Sequence, residues 1–390
     1  MTANFMATSP DQERRSATPL QAGMVFNALA DPTSGVDIQQ VAITLEEALD
    51  VERFTKAWHD LIRDHAILRT SFAWEGLSAP EQVVHHHPAL PIVRQDWSDL
   101  DETAIEEAKT ALLREERVSG FAMDAPSLMR LTVARETDDR WWVLWTFHHI
   151  ILDGRSFPLV LERLFALYDG LVSAISPKGP TFAEYAEALA AIDQAPAKET
   201  WRQRLAPLES PTSIDIPYQT IREKEGAPSV SAVETRLDRE VTVGLRKLAA
   251  ETGTSLNNVV QAAWTLLLHH YSQQPTLAFG TTRAGRHAIE DASNIIGLLI
   301  NTVPFVVTLG SEDTLGDLLA KMRVEQQALR PLETTPLVEI QAASSLGTTP
   351  VFDNIVMYDE ATLNTRMAER LGDRAEGRRF DYYGQTNFDL

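Results

Sequence analysis

Two adjacent histidines, His148 and His149, are followed after Ile150-Ile151-Leu152 by Asp153-Gly154. An imidazole near its ordinary pKa takes up and returns protons at neutral pH. A carboxylate a few residues on can point at that imidazole, or hold the turn that carries it. A neighbouring glycine lets a ligand approach the backbone and leaves an N–H free to meet developing negative charge. These residue types suit general-base chemistry on a bound nucleophile.

The flanking residues say how the group is positioned. Trp141-Trp142-Val143-Leu144-Trp145-Thr146-Phe147 has the composition of a buried strand. With a period of two, Trp141, Val143, Trp145, Phe147 and His149 share one face, and Trp142, Leu144, Thr146 and His148 the other. The two histidines therefore cannot do the same job. Asp153-Gly154 is a turn signal, and Ser156 reads as the N-cap of a helix whose apolar stripe includes Phe157, Leu161, Leu164 and Tyr168. The unit is strand, tight turn, helix.

Composition bounds the rest. A chain of 390 residues exceeds one ordinary core and predicts two domains. There is no cysteine, which removes disulfides, thiolate metal sites and a thiol nucleophile together. No apolar stretch is long enough for a bilayer, and Met1 to Ala17 lacks a signal-peptide core, so a cytoplasmic protein is expected. A net charge of −20 argues against nucleic acid or an anionic membrane as partner. His85-His86-His87 supplies no convergent metal-ligand set, because strand neighbours point to opposite faces and Pro88 follows at once. His269-His270 reads as a helix-end pair meeting backbone carbonyls. No P-loop or dinucleotide pattern is present.

Taken in order, Thr18 caps a helix starting at Pro19, and Val41–Leu45 reads as a strand. Helices are predicted over Val51–Asp64 and Asp101–Glu116, and a hairpin over Leu128–Arg135 and Arg140–His149. Residues 207–230 read as a linker. A strand is predicted over Ser231–Leu237, then helices over Arg239–Glu251 and Ser255–Ser272. A strand from Thr276 enters a glycine-bearing loop, a helix spans Thr314–Leu329, and Pro350–Tyr358 reads as a strand. The glycines of that loop would suit backbone contacts to a phosphate-sized ligand.

His148-His149-x-x-x-Asp153-Gly154 resembles the signature of the condensation domains of nonribosomal peptide synthetases, which belong with chloramphenicol acetyltransferase and related acyltransferases. Further stretches resemble family motifs in matching order from Thr18 to Leu390. They are Thr18–Met24; His65-Ala66-Ile67-Leu68-Arg69-Thr70-Ser71-Phe72; Thr181–Tyr185; Thr276–Arg286; Gly297-x-x-x-Asn301-Thr302-x-Pro304; and Pro350–Tyr358. Asp64 and Ala66 stand where the family's second motif has Arg and Glu. Heterocyclisation relatives carry aspartates in place of the two histidines, and epimerisation relatives carry Gly-Val-Ser-Trp after the aspartate, so Arg155-Ser156-Phe157-Pro158 resembles the condensation subtype.

The resemblance implies an α+β fold, two chloramphenicol acetyltransferase-like lobes forming a V with a central tunnel. It implies an N-terminal lobe over 1–175, a helical connection and linker over 176–230 and a C-terminal lobe over 231–390. Ending at Leu390, the second lobe lacks its C-terminal strand and helix, and the module reads as free-standing. The implied reaction joins an acyl or aminoacyl donor, held as a phosphopantetheine thioester on a carrier protein, to a small-molecule amine or hydroxyl acceptor. No cofactor of its own is implied; phosphopantetheine arrives on the substrate. His149 is the implied base or positioner, with Gly154 as oxyanion donor. His148 is implied to be structural, Asp153 to form a salt bridge with Arg69, and Asn301 and Ser156 to line the tunnel. Acidic carriers would meet repulsion from the net charge, so Arg283 and Arg286 are expected at the phosphopantetheine mouth. Two other readings remain open: an acyltransferase using soluble acyl-CoA, and a non-catalytic docking module for a synthetase.

Overall fold

The aromatic run that leads to His148 is the centre strand of a five-stranded sheet. The computed structural model describes residues 12–86, 89–172, 179–212, 233–385 and 388. Contacts group the chain into two units. The first is Met1–Ile192, Arg286–Leu299 and Asp359–Asn387; the second is Asp193–Gly285, Ile300–Tyr358 and Phe388–Leu390.

In the first unit the order is β1 (Gln12–Ser16), α1 (Pro19–Ala30), β2 (Ile38–Leu45), α2 (Val51–Asp64), β3 (Thr70–Ala73), β4 (Glu81–His85), β5 (Ile92–Asp96), α3 (Glu102–Ser119), β6 (Met129–Thr137), β7 (Arg140–His148), α4 (Ser156–Tyr168) and α5 (Phe182–Ala190). The second unit holds α6 (Ala195–Leu205), α7 (Arg239–Glu251), α8 (Leu256–Ser272), β8 (Thr276–Arg283), β9 (Asn301–Thr308), α9 (Leu315–Leu329), α10 (Leu337–Ala343) and β10 (Ile355–Val356). The chain then returns to the first unit as α11 (Leu363–Leu371) and β11 (Arg378–Tyr383).

The main sheet runs β11-β2-β7-β6-β5, antiparallel except for the parallel pair β5 and β6. Alternation along β7 divides its side chains as the period of two predicts. Trp142 and Leu144 join Trp97, Ala134 and Ala42 in a cluster covered by Ile105, Ala108, Leu112 and Leu113 of α3. Trp145 and Phe147 point the other way, with ring centroids 4.4 Å apart, and Trp145 meets Trp58 of α2 at 5.1 Å. Phe54 of α2 and Phe165 of α4 close this side at 6.4 Å. Both faces of β7 are thus filled, which fixes its register and where its end falls. A small sheet β1-β4-β3 stands apart from it in the ladder pattern.

β11 covers the free edge of β2, pairing Phe380 with Ile43, and Phe380 meets Phe165 edge-on at 5.8 Å. Arg378 anchors the return through Glu47 at 2.7 Å and Asp169 at 2.8 Å. The linear division at 175 and 230 is therefore not how contacts group: residues 286–299 and 359–387 pack with the first unit because they complete its sheet and its turn.

In the second unit a three-stranded sheet, order β10-β8-β9, packs Phe279 against Phe305 at 5.1 Å. The same core takes in Trp201 of α6, Ala262 and Leu268 of α8 and Met322 of α9. The glycine of β8 serves packing. A Cβ on Gly280 would lie 2.5 Å from Phe352 and 2.6 Å from Ile355, so the close approach there is to protein and not to a phosphate. Pro350–Tyr358 forms only a two-residue strand, with Gly280 N–H bonded to Asn354 O at 2.8 Å where Phe352 crosses the sheet. The strand expected over Ser231–Leu237 is not formed among its described residues, 233–237. Val233 is 92% exposed and no ladder partner lies beside it. Much of the expected linker, residues 213–230, lies outside the described residues, as does His87.

Trp145 is fully buried at the sheet's centre. Trp145→Ala is expected to cost about 3–5 kcal/mol, read as a lowered midpoint in urea unfolding followed by far-UV circular dichroism.

Candidate functional site

β7 ends at His148 because the next residues tighten into a single turn of 3₁₀ helix, His149–Ile151. His149 thus lies just past the strand and escapes the alternation that buries its neighbour. His148 is 2% exposed, and its Nδ1 accepts the Ile150 N–H at 3.1 Å. Burial, and then the charge of His149, push its pKa down to about 3. At neutral pH His148 is a neutral bracket for the turn.

His149 is half-buried. Its backbone N–H donates to Asp37 O at 2.7 Å, and Leu152 N–H donates back to His149 O at 3.1 Å. Its ring Nδ1 lies 2.6 Å from Leu152 O. A carbonyl oxygen only accepts, so Nδ1 carries the hydrogen and, in the neutral ring, Nε2 carries the lone pair. Gln21 steadies the turn from α1: Nε2 donates to Ile150 O at 3.2 Å, while Oε1 accepts Thr18 N–H in a capping box.

Asp153 is fully buried and every acceptor site it offers is used. Oδ1 accepts from Arg155 N at 3.0 Å, Ser156 N at 2.8 Å and Arg286 Nη2 at 3.1 Å; Oδ2 accepts from Leu299 N at 3.0 Å. It therefore caps α4, where the helix dipole also favours its charge. Ser156 is the first helical residue rather than the N-cap, because the turn places the carboxylate three residues earlier in capping position. Ser156 Oγ donates to Gly297 O at 2.8 Å and accepts from Gly297 N and Arg286 Nη2, both at 3.1 Å. A fully buried hydroxyl so engaged ties segments together and is not a substrate contact.

The aspartate's partner is Arg286 and not Arg69. Arg69 follows a turn of 3₁₀ helix and reaches across the small sheet, where Nη1 donates to His85 O at 2.8 Å. Arg286 is 8% exposed, with Nη1 held by Ala292 O at 2.8 Å and Ile295 O at 2.9 Å. It is consumed inside the fold and cannot wait at a mouth for a phosphate. Arg283, the other cation expected there, is bound to Glu333 at 3.4 Å and Gln326 at 2.5 Å within the second unit. Asn301 Nδ2 donates to Glu333 O and Thr335 O, at 2.9 and 2.7 Å, so its amide clasps a loop rather than meeting a ligand.

Gly154 differs from these. It is exposed, has no positive φ, and a Cβ there would meet only Phe157, at 4.0 Å. The fold itself does not need glycine here, and among the described residues its N–H has no acceptor. Gly297, by contrast, is required: a Cβ would fall 2.2 Å from the Phe182 ring.

The remaining histidines behave as backbone or packing partners. His65 is buried and its Nε2 accepts from Arg163 Nη1 at 2.8 Å; burial, then Arg163, push its pKa down to about 3. His85 Nε2 lies 2.7 Å from Ser71 Oγ, and His269 Nδ1 donates to Gln274 O at 2.7 Å. Among the described residues no cluster of His, Asp or Glu could hold a metal ion, and no helix is long and apolar enough to cross a membrane.

Sequence reasoning missed Arg286 as ion-pair partner, Leu152 O as the acceptor that orients the imidazole, and Gln21. Only Gln21 left a local signal, standing at the capping-box position three residues after Thr18.

Removing one partner of the buried pair strands the other. Asp153→Ala is expected to cost about 3–5 kcal/mol in urea unfolding, and Arg286→Ala a similar amount; a loss below about 1 kcal/mol would contradict the burial argument. Acid should also destabilise the fold through His65 and His148. Both are held near 3 against 6.5 when unfolded, so the unfolded chain binds more protons between those values. Their contribution is complete above pH 6.5 and is lost as pH falls towards 3. His65→Gln should therefore lose less stability between pH 7 and 5 than the unmodified chain, as read by urea midpoints at the two values.

Comparison with known proteins agrees with this arrangement. The family model described as the condensation domain matches residues 11–390. One of the proteins of the linear gramicidin synthase of Brevibacillus parabrevis is 33% identical over 361 residues, which are 90% of this chain and 5% of that protein. Chondramide synthase of Chondromyces crocatus is 31% identical over 342 residues, 86% of this chain and 9% of that protein. The chain thus spans a small part of the curated relatives it matches. Among solved structures, the X-domain from teicoplanin biosynthesis superposes with a TM-score of 0.76 at 21% identity, covering 98% of this chain and 84% of that one. The first condensation domain of the calcium-dependent antibiotic synthetase, in complex with a substrate analogue, superposes at 0.69 with 19% identity, covering 89% and 81%. The α+β fold is theirs, and the match over nearly the whole length places the protein among the condensation domains of nonribosomal peptide synthetases.

Proposed function

We propose that the chain is a condensation-type acyltransferase. It transfers an acyl or aminoacyl group from a phosphopantetheine thioester on a carrier protein to an amine or hydroxyl acceptor. The observation that carries this reading is the His149 ring: Nδ1–H is fixed on Leu152 O at 2.6 Å, which leaves Nε2 as proton acceptor on a half-buried side chain. As the acceptor nitrogen or oxygen bonds to the thioester carbon, its proton passes to Nε2; when the C–S bond breaks, that proton goes to the departing sulfur. Base catalysis of this kind contributes about 10²–10⁴-fold, and the rest comes from holding both substrates together. Gly154 N–H, which has no acceptor among the described residues, is the candidate donor to the developing oxyanion. Asp153 takes no proton; it holds the turn.

Phosphopantetheine is substrate here, and no cofactor is required. With a net charge of −20, docking of an acidic carrier depends on local apolar or cationic contacts, since screening confines repulsion to about 8 Å at physiological ionic strength. The absence of cysteine suits work in a reducing cytoplasm. A second reading, a docking module that recruits a partner enzyme, is favoured by the likeness to the teicoplanin X-domain over 98% of the chain. The retained His149 and Asp153-Gly154 favour catalysis.

Acyl-loaded carrier protein and acyl-CoA, each with candidate amines and alcohols, would be incubated with the protein and products read by mass spectrometry. Turnover from carrier alone supports the proposal, and turnover from acyl-CoA supports a soluble-donor acyltransferase. No turnover with binding of a synthetase partner supports the docking module. His149→Ala is expected to lose about 10²-fold or more in rate with its unfolding midpoint preserved; a near-normal rate would remove the base role. Gly154→Ala should change stability by less than about 0.5 kcal/mol yet lower the rate, because only a bound ligand uses that space.

A further inference from the structure

His149 has a second neighbour that the acyl-transfer reading leaves unused. Ile38 pairs with His148 in the β2–β7 ladder, so the residue before it, Asp37, stands opposite His149 just past the ladder's end. The two are joined there by His149 N–H donating to Asp37 O at 2.7 Å. Asp37 is 8% exposed, and its φ is +63°, in the left-handed region. Gly35, two residues earlier, has φ +70° and shows the residue such a turn ordinarily uses. At position 37 the chain instead places a carboxylate in a conformation glycine would adopt without strain.

That carboxylate is an expense twice over. Beyond the backbone conformation, it is buried and accepts no hydrogen bond among the described residues. Burial pushes its carboxyl pKa up, and the charge that opposes this is that of His149. The other groups around His149 do not compete. His148 is held neutral, Asp153 is neutralised by Arg286, and α1 presents Gln21, an uncharged amide. A buried carboxylate without donors is tolerable only beside a positive charge, and the imidazole supplies one whenever it holds a second proton.

We propose that Asp37 is the electrostatic partner of His149, a positioning residue that stabilises the imidazolium formed when His149 takes the acceptor's proton. Asp37 itself exchanges no proton. The acceptor's N–H or O–H bond breaks, the Nε2–H bond forms, and the proton leaves on the departing sulfur. This deepens the reading of His149 as base, but the pairing is testable without any substrate.

The full chain, labelled with ¹⁵N-histidine, would be titrated by long-range ¹H–¹⁵N NMR, with the His149 signals identified by their loss in His149→Gln. In Asp37→Asn the His149 midpoint is expected to fall by about one pH unit, because the charge that favoured its protonated form is gone. Asp37→Gly relieves the positive φ and secures a folded variant; the same fall is expected there. In the carrier-donor assay the acid limb of kcat/KM should move down with it, and kcat should drop about 10-fold. A purely structural role would leave the midpoint in place, so an unchanged midpoint in both variants overturns the proposal. A shifted midpoint in a protein that turns over neither donor supports the pairing while refuting the acyl-transfer reading.

Discussion

The structure depends on one buried ion pair. Asp153 and Arg286 lie far apart in sequence, and each is saturated: the carboxylate by three backbone N–H groups and the guanidinium, the guanidinium by two backbone carbonyls, a hydroxyl and the carboxylate. Removing two charges from water is favourable only when the geometry is this complete. The pair fixes three things at once: the N-terminus of α4, the loop from Ala292 to Leu299, and the bend after His149. The motif's aspartate is therefore an architectural residue, and its influence on the imidazole passes through the backbone.

The imidazole is oriented by a neighbouring carbonyl, where a hydrolase triad would use a carboxylate. Leu152 O fixes the tautomer, and the His148 ring and Gln21 amide brace the same short turn. A carbonyl orients without adding charge, so any stabilisation of a protonated ring has to come from elsewhere. Asp37 occupies that place. Division of the two tasks between a neutral orienter and a separate charge would let each vary without loss of the other.

Local elements were legible because their determinants are local. The helix Val51–Asp64 and the helix Arg239–Glu251 fall where their periodicity put them, and Thr18, Asp101, Thr181 and Thr314 cap as their side chains predict. The strand pair around Trp145 was equally plain. What failed was long-range. Asp153 had many arginines to choose from, and nothing in spacing singled out Arg286 over Arg69. Ser156 resembled a cap because the tightness of the preceding turn, which gives that task to Asp153, depends on a loop 141 residues away in the chain. Asn301 and Arg283 proved to be paired with residues around Glu333, a connection that lies in tertiary packing. Residues 233–237 alternate like a strand but have no neighbour to pair with.

β11 has a consequence for how the protein is made. Its residues, Arg378–Tyr383, close the edge of a sheet whose other strands are complete by His148. During synthesis the β2 edge, an apolar strand, stands open while more than two hundred further residues are polymerised, at about 5–20 residues per second. For that interval the nascent chain offers a template for pairing with another nascent chain. Its yield in the cell should therefore depend on ribosome spacing and on chaperones that shield strands, more than on the stability of the finished fold.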